Sequence, residues 1–354
     1  VHHDMGLILG NLTPVMHGLD LWVMPPQRFI TEPRLWLSCF GELGATRTAA
    51  PSFGLGYVAR KVRPTDLGGM DFSGWKSLIC GAERVSADVL SEFVKLVGPA
   101  GFNEQSILPS YGMAEATLGI SGKTIGSPTK KIRVAPSSLR MGQTVEVVSA
   151  EDSGTWHVGC GLRIDPSMTI EIRAEDGSAL GAGMVGEIAV SGSSVAAGYY
   201  ADTIGSTARF EGDTLYTGDA GFLYEGELFI VGRLGDSVKV RGKSVFAEDT
   251  DAIVHSVAGL GSNNAVSLLG FLEDQESIIA LVEKPTGEWV SEVAKQLSAQ
   301  YTSMRVVVIA AGPGTLMRTT SGKPRRTAMW QNMLERWDAT EFAFDSATVL
   351  EPSG

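Results

Sequence analysis

Three short blocks of this 354-residue sequence combine the residue types that can bind a nucleotide and activate a carboxylic acid. The first, residues 110–115, is Ser-Tyr-Gly-Met-Ala-Glu and offers an aromatic ring, a glycine and a carboxylate. The second contains Asp219, then Arg233, then Arg241-Gly242, and the third is a Ser-Gly-Lys loop that ends at Lys323. Attack of a carboxylate on the α-phosphorus of ATP requires reactants held in line and charge on phosphorus neutralised. These blocks contain groups suited to both tasks.

In the first block, the Tyr111 ring could stack on adenine, and Gly112 would let the backbone approach a nucleotide closely. Taken alone, Tyr111 would more often be a core residue. Glu115 could hold a Mg²⁺ ion that bridges phosphates. The alternative is a carboxylate that the macrodipole favours at a helix N-terminus.

In the other blocks, Asp219 could accept hydrogen bonds from both ribose hydroxyls, and Arg233 could add donors. The alternatives are a tight Gly-Asp turn and a surface ion pair. The Lys323 ammonium could reach α-phosphate and carboxylate oxygens, or it could be an ordinary exposed lysine. The loop is no Walker A motif, because Met317 stands where a glycine is required and Pro324 follows the lysine.

The composition argues against a general nucleic-acid or membrane-surface binder, since both normally need a cationic face and the net charge is −11. The three cysteines, Cys39, Cys80 and Cys160, form no CxxC pair, so neither a disulfide framework nor a zinc site is indicated. A reducing cytoplasm fits best. No apolar run reaches the roughly 18–20 residues that span a bilayer.

Alternation of strand, loop and helix predicts α/β layers with functional loops at the strand ends. We expect a strand over 76–80 and a helix capped by Ser86, then short strands over 144–231 that indicate a β-rich part. The tail after Trp330 is polar and acidic and is expected to be loose. Gly54-Leu55-Gly56 imitates a dinucleotide fingerprint, but Pro51 and Ser52 are expected to spoil a preceding strand.

In their order and spacing, the three blocks resemble the adenylate-forming superfamily of acyl-CoA synthetases, peptide-synthetase adenylation domains and luciferases. Within it, the chain looks like a fatty acyl-AMP ligase. His2-His3-Asp4-Met5-Gly6-Leu7 is similar to that branch's characteristic motif, Gly81-Ala82-Glu83 to its adenine-flanking loop, and residues 110–118 to its nucleotide motif. Lys123–Val158 stands where the branch carries an insertion. The similarity extends to about Ala328.

The resemblance implies a layered α/β subdomain, a small β-rich subdomain and a small mobile α+β C-terminal domain. The corresponding ranges here are 1–143 (an incomplete large domain), 144–234 and 235–345, with a tail over 346–354. Gly235 and Asp236 would form the hinge. The implied nucleotide-binding residues are Gly81, Ala82, Glu83, Ser110, Tyr111, Gly112, Met113, Ala114, Asp219 and Arg233.

The implied reaction makes an acyl-adenylate from ATP and a fatty or related acid, with Mg²⁺, and transfers the acyl group to a carrier-protein phosphopantetheine thiol. Lys323, His3 and Glu115 would be the catalytic residues, with His3 near the acyl carboxylate. The acyl-pocket candidates, which could equally be core residues, are Met5, Gly6, Leu9 and Phe53.

Two departures from the family pattern keep alternatives open. The Ser/Thr/Gly-rich phosphate loop that precedes the histidine motif is absent, and Gly235 replaces a lysine beside Asp236. The alternatives are an acyl-CoA synthetase that uses free coenzyme A, and a non-catalytic binding remnant or a fragment that needs a complementing N-terminal part.

Overall fold

A computed structural model of the chain describes residues 3–152, 154–200, 207–240, 243–319, 322–337 and 340–349. The chain divides into two compact units, Val1–Ile230 and Val231–Gly354, each with its own apolar core. The C-terminal domain was expected to begin at residue 235, close to this division. Within the described residues, every helix is too short or too polar to cross a bilayer.

The helices of the first unit are short, and capping and proline residues favour their starts. Ser86 Oγ accepts a hydrogen bond from the Val89 amide at 3.4 Å, and the helix that follows buries Leu90, Phe93 and Val97. The capped amphipathic helix predicted there is confirmed. The helices are α1 Thr13–Met16, α2 Pro26–Thr31, α3 Pro33–Gly41, α4 Ser52–Lys61 and α5 Ala87–Val97, after a π-helix over Met5–Leu12.

Over its described residues, the first unit contains one mixed sheet of five strands, a second sheet of five strands and a small sheet of three. Its strands are β1 Arg47–Ala50, β2 Ser77–Cys80, β3 Ile107–Gly112, β4 Gly119–Gly122, β5 Lys131–Val134, β6 Val147–Val148, β7 Thr155–Val158, β8 Leu162–Arg163, β9 Thr169–Arg173, β10 Gly186–Ser191, β11 Arg209–Glu211, β12 Thr214–Tyr224 and β13 Glu227–Arg233, the last reaching the start of the second unit.

The mixed sheet has the order β1-β2-β3-β4-β8, with β1, β2 and β3 parallel and β4 and β8 antiparallel to their neighbours. Beside it lies an aromatic core in which Trp75 stacks on Phe40 with ring centroids 3.8 Å apart. The strand β1 was not expected, because Pro51 and Ser52 were taken to spoil it. That interpretation was wrong: the strand ends at Ala50, and Gly54 and Gly56 lie inside α4.

The remaining strands of the first unit form two sheets. One has the order β11-β12-β10-β9 with β13 on β12, and the other is a three-stranded antiparallel sheet β6-β5-β7. The small sheet lies within the segment Lys123–Val158 that the resemblance assigns to an insertion. Because β6 pairs with β5, the predicted division after residue 143 falls inside this sheet.

The second unit is an α+β module. Its helices are α6 Ala247–Ser256, α7 Glu288–Gln300, α8 Arg326–Glu335 and α9 Ser346–Val349, and its strands are β14 Ser237–Val240, β15 Lys243–Phe246, β16 Ala265–Leu272, β17 Gln275–Val282, β18 Arg305–Ala310 and β19 Phe344–Asp345.

The main sheet of this unit has the order β16-β17-β18-β19, and α7 connects the parallel strands β17 and β18. The buried residues of α7 include Trp289, Val293 and Leu297, which belong to the apolar face predicted for this helix.

The expectation of a loose tail after Trp330 was wrong for its described part. The strand β19 pairs with β18, and the Arg305 guanidinium binds Asp345 through Nε–Oδ1 at 3.0 Å and Nη2–Oδ2 at 2.6 Å. Both side chains are buried. Two parallel hydrogen bonds of this kind are the strongest geometry available to an arginine–carboxylate pair. These hydrogen bonds hold in place a segment whose polar composition alone predicts mobility.

Candidate functional site

Two groups of predicted nucleotide residues lie at the carboxyl ends of the neighbouring parallel strands β2 and β3. Gly81-Ala82-Glu83 comes directly after β2, and Ser110 to Met113 form the end of β3 and the residue beyond it. From the helix after β1, the Phe53 amide donates to Glu83 Oε1 at 2.6 Å. Ligands in open α/β sheets bind outside this edge. The structure therefore brings together segments that lie up to 60 residues apart in the sequence.

Glycine is required at two of these positions by close backbone approach. A Cβ on Gly81 would lie 2.6 Å from the Ser110 carbonyl oxygen, and one on Gly112 would lie 1.9 Å from the Leu118 carbonyl oxygen. Neither position has room for any side chain. The loop after β2 thus lies against the end of β3, and the connection from β3 to β4 folds closely onto Gly112.

The predicted adenine-stacking ring and the predicted ribose acceptor are in contact. The Tyr111 hydroxyl donates to Asp219 Oδ2 at 2.7 Å, and the two side chains are 9% and 6% exposed. The Asp219 amide donates to Thr217 Oγ1 at 3.1 Å, which orients the backbone at the carboxylate. Gly218 has φ +72° and donates its amide to Glu187 Oε1. Asp219 thus lies at a bulge within β12, where the positive φ of Gly218 favours glycine and the Gly218 amide is bonded to a second carboxylate.

Glu115 lies in a short 3₁₀ turn, Ala114–Ala116, beyond β3. Its Oε1 accepts a hydrogen bond from the Tyr199 hydroxyl at 2.7 Å, while its backbone carbonyl accepts one from the Ala196 amide at 2.8 Å. Sequence reasoning did not select Tyr199, which is 84 residues away along the chain. The contact between Tyr199 and Glu115 is identifiable only from the folded structure, because no local sequence pattern links the two residues.

The histidine motif and the acyl-pocket candidates lie at the start of the first unit. His2 is outside the described residues, and His3 Nδ1 contacts the Asp4 carboxylate and accepts from the Met5 amide. Met5, Gly6 and Leu9 lie on the π-helix, which buries none of its residues. Phe53 is partly buried at the start of α4, beside Glu83. The acyl-binding role of this set stays a prediction.

The hinge candidates of the second unit lie beside an ionic cluster. Asp236 Oδ2 accepts from Arg326 Nη1 at 3.1 Å, and Arg326 Nη2 donates to Asp251 Oδ2 at 2.5 Å. Burial raises the pKa of Glu248 to about 7, against the opposing effect of Arg326. Burial acts to lower the pKa of Arg326, but the carboxylates of Asp251, Glu248 and Asp236 together raise it above its usual value. Gly235 is exposed between Arg233 and Asp236.

Arg233 and the lysine loop complete the predicted set. The Arg233 amide donates to Glu248 Oε1 at 3.4 Å, and its side chain is exposed. The Thr319 amide donates to the Lys323 carbonyl at 2.9 Å, the Lys323 amide donates to Thr319 Oγ1 at 3.1 Å, and Gly322 has φ +86°. A tight turn therefore presents Lys323. Thr320, Ser321, Arg241 and Gly242 lie outside the described residues.

Comparison with known proteins gives one family match and several relatives. The AMP-binding enzyme family matches residues 1–200. The chain is 31% identical over 347 residues to the fatty-acid--CoA ligase fadD25 of Mycobacterium tuberculosis, across 92% of this chain and 59% of that protein. It is 30% identical over 352 residues to the long-chain-fatty-acid--AMP ligase FadD26 of the same organism, across 93% and 60%.

Solved structures agree on the fold. A structure from a study of fatty acyl-adenylate ligases from E. coli and L. pneumophila superposes with TM-score 0.85 at 28% identity, across 96% of this chain and 62% of that chain. The McyG A-PCP structure with phenylalanyl-adenylate reaches TM-score 0.75 at 20% identity, across 94% and 58%. The fold is thus that of the adenylate-forming enzymes. The chain spans 59–60% of the two curated relatives.

Proposed function

Because the chain belongs to the family of AMP-binding enzymes, we propose that it activates a fatty or related carboxylic acid with ATP and passes the acyl group to a carrier-protein phosphopantetheine thiol. A carboxylate oxygen attacks the α-phosphorus, the bond to the β-phosphate breaks, and pyrophosphate leaves. The thiol sulfur then attacks the acyl carbon, AMP leaves, and the thiol proton passes to solvent. Relatives named as a fatty-acid--CoA ligase and a long-chain-fatty-acid--AMP ligase support the acid class.

The observation that carries this proposal is the contact between Tyr111 and Asp219, at 2.7 Å and 108 residues apart in the sequence. Adenosine is an aromatic ring joined to a diol, so its receptor needs a flat apolar surface next to a hydrogen-bond acceptor. Tyr111 and Asp219 supply both within one contact. A ribose hydroxyl can take the place of the tyrosine hydroxyl on Asp219 without leaving the carboxylate unpaired. We assign the remaining nucleotide contacts to Gly81–Glu83 and Ser110–Ala114.

The Glu115 carboxylate fits a role in holding Mg²⁺. Among the residues that the structure describes, no three or more acidic, histidine or cysteine side chains converge as a metal site. Mg²⁺ needs no such cage, because it commonly binds one or two carboxylates together with substrate phosphates and water. One oxygen of Glu115 accepts from Tyr199, and in this proposal the second oxygen binds the cation. When bound, Mg²⁺ would neutralise phosphate charge.

In the second unit, we propose that the Lys323 ammonium contributes to the adenylation step and that Arg233 adds donors to the nucleotide. The loop residues Thr319 and Lys323 are bonded to each other, so the lysine stem starts from a defined position. Gly235 and Asp236 are proposed as the hinge between the adenylating and thiol-accepting states. We propose the cytoplasm as its location, which the free thiols of Cys39, Cys80 and Cys160 support.

The second candidate is an acyl-CoA synthetase, which the name of the relative fadD25 favours. The two functions share the adenylation step and differ only in the thiol. They are therefore separated by the acceptor: free coenzyme A against a carrier protein that bears phosphopantetheine.

The test is to incubate the chain with ATP, Mg²⁺ and a mixture of fatty acids, and to detect acyl-adenylates by mass spectrometry. We expect product from the wild type, and a loss of about 10- to 100-fold in Asp219→Asn, since bonds to charged acceptors contribute about 1.5–3 kcal/mol. Asp213→Asn, in the exposed turn before β12, is the matched control and should keep full activity. Absence of product from the folded wild-type chain would overturn the proposal. Addition of each thiol then separates the two candidates.

A further inference from the structure

The segment that follows β10 is bonded to the turn that carries Glu115 at three points. Thr117 Oγ1 donates to the Ser194 carbonyl at 2.9 Å, the Ala196 amide donates to the Glu115 carbonyl at 2.8 Å, and the Tyr199 hydroxyl donates to Glu115 Oε1 at 2.7 Å. All of these residues belong to the first unit. The segment thus holds both the backbone and the side chain of the proposed cation ligand.

Backbone strain shows that this turn depends on outside support. Thr117 has φ +68° and ψ −55°, the strained γ-turn conformation, which a β-branched residue adopts only when its surroundings impose it. The bond from Thr117 Oγ1 to Ser194 is one such constraint. Val195, between the bonded residues, packs against the apolar core that contains Tyr111 and Met113. The segment therefore links the Glu115 turn to the core around the proposed nucleotide residues.

We infer that Tyr199 is a positioning residue, which orients the Glu115 carboxylate so that its second oxygen faces a Mg²⁺ ion on the nucleotide phosphates. This inference rests on the proposed function. A glutamate side chain loses up to about 2 kcal/mol of rotamer entropy when it is fixed, so a donor that fixes it beforehand strengthens cation binding. Donors of this kind on metal ligands typically change metal affinity by about 10- to 100-fold.

The packing of Tyr199 allows its hydroxyl to be removed without loss of its ring contact. Its ring lies edge-on to Phe210 with centroids 5.2 Å apart, so Tyr199→Phe keeps the ring contact and removes only the hydroxyl. The adjacent Tyr200 is fully exposed, so Tyr200→Phe removes a hydroxyl from the same segment with no effect expected on Glu115. These two variants form a matched pair.

The experiment measures binding of a non-hydrolysable ATP analogue while Mg²⁺ is titrated, in the wild type, Tyr199→Phe and Tyr200→Phe. We expect Tyr199→Phe to raise the Mg²⁺ concentration for half-maximal binding about tenfold. Metal-free analogue binding should change less than about twofold, because the analogue itself does not contact Tyr199 in this proposal. Excess Mg²⁺ should restore full binding. A purely structural role would weaken metal-free binding as well and would not be rescued by Mg²⁺.

Two outcomes would overturn the inference, and they are distinguishable. If the wild type shows Mg²⁺-dependent binding but Tyr199→Phe and Tyr200→Phe follow the same titration curve, the positioning role is wrong and the proposed function stands. If the wild type binds no nucleotide at any Mg²⁺ concentration, both proposals are wrong. Thermal unfolding of all three proteins shows whether the folded state is intact.

Discussion

The two units hold their functional carboxylates by opposite means. In the first unit, Asp219 accepts from a neutral tyrosine hydroxyl, and the segments around it are held by hydrogen bonds and by glycine-mediated backbone contact. In the second unit, Asp236 and Asp251 share the single guanidinium of Arg326. In the first arrangement, a ligand hydroxyl can replace the tyrosine hydroxyl as the hydrogen-bond donor to Asp219. The second depends on one cation, so its loss affects every carboxylate in the cluster.

Replacement of Arg326 tests this dependence most strongly. Arg326→Gln leaves Asp236, Asp251 and Glu248 without their cation in a largely buried setting. Removal of one partner from a buried ion pair destabilises a protein by about 3–5 kcal/mol. We expect a loss of that size in the free energy of unfolding of the second unit, measured by urea denaturation.

The matched control is Arg325→Gln, at the exposed residue immediately before Arg326. It should change the free energy of unfolding by less than about 0.5 kcal/mol, as is usual for surface substitutions. If the two variants unfold at the same urea concentration, the cluster does not depend on Arg326 and the contrast between the units fails.

The same cluster predicts a pH dependence of stability in the second unit. Burial raises the pKa of Glu248 from 4.5 to about 7, with the carboxylates of Asp236 and Asp251 adding to the rise and Arg326 opposing it. The folded chain therefore binds this proton more tightly than the unfolded chain does. The free energy of unfolding falls as pH rises between 4.5 and about 7, and levels off above that.

Glu248→Gln removes this titration, so its stability should fall less across the same window and exceed that of the wild type above pH 7. Each pKa unit corresponds to about 1.4 kcal/mol of stability. Because the Glu248 side chain is partly exposed, we expect its titration to lower the free energy of unfolding by about 2 kcal/mol across this window. Thermal and urea unfolding at several pH values measure this change in the free energy of unfolding. Glu335→Gln, at an exposed position on α8, should keep the wild-type pH profile. Parallel profiles for wild type and Glu248→Gln would contradict the prediction.

The sequence predicted those features of the fold that local residues determine. The cap at Ser86, the strand that ends at Cys80 and the apolar face of α7 each follow from capping or periodicity within a few residues. The strand β1 was missed because Arg47 and Thr48 show no apolar alternation and Pro51 follows closely. Its pairing with β2 outweighs those local signals.

Distant pairings account for the other failures. The described tail is ordered because Asp345 pairs with Arg305, forty residues earlier, and no local composition reveals that partner. For the site, the resemblance indicated Tyr111, Glu115 and Asp219, but not that Tyr111 bonds to Asp219 or that Tyr199 bonds to Glu115. The residue types were thus predictable, whereas their partners depend on strand register and on loops far apart in the chain.

The smallest expected effect concerns the hydrogen bond between Tyr111 and Asp219 in the first unit. It tests whether this pair is available to a ligand, in contrast to the ionic cluster of the second unit. Tyr111→Phe leaves the ring in place and removes the donor to Asp219, so we expect a loss of about 1–2 kcal/mol in the free energy of unfolding. A double-mutant cycle with Asp219→Asn isolates the coupling between the two side chains, which should be about 1 kcal/mol. Added nucleotide should shrink this coupling, because a ribose hydroxyl then occupies Asp219 in place of Tyr111. A coupling that nucleotide leaves unchanged would mean that the pair is structural and that ribose binds elsewhere.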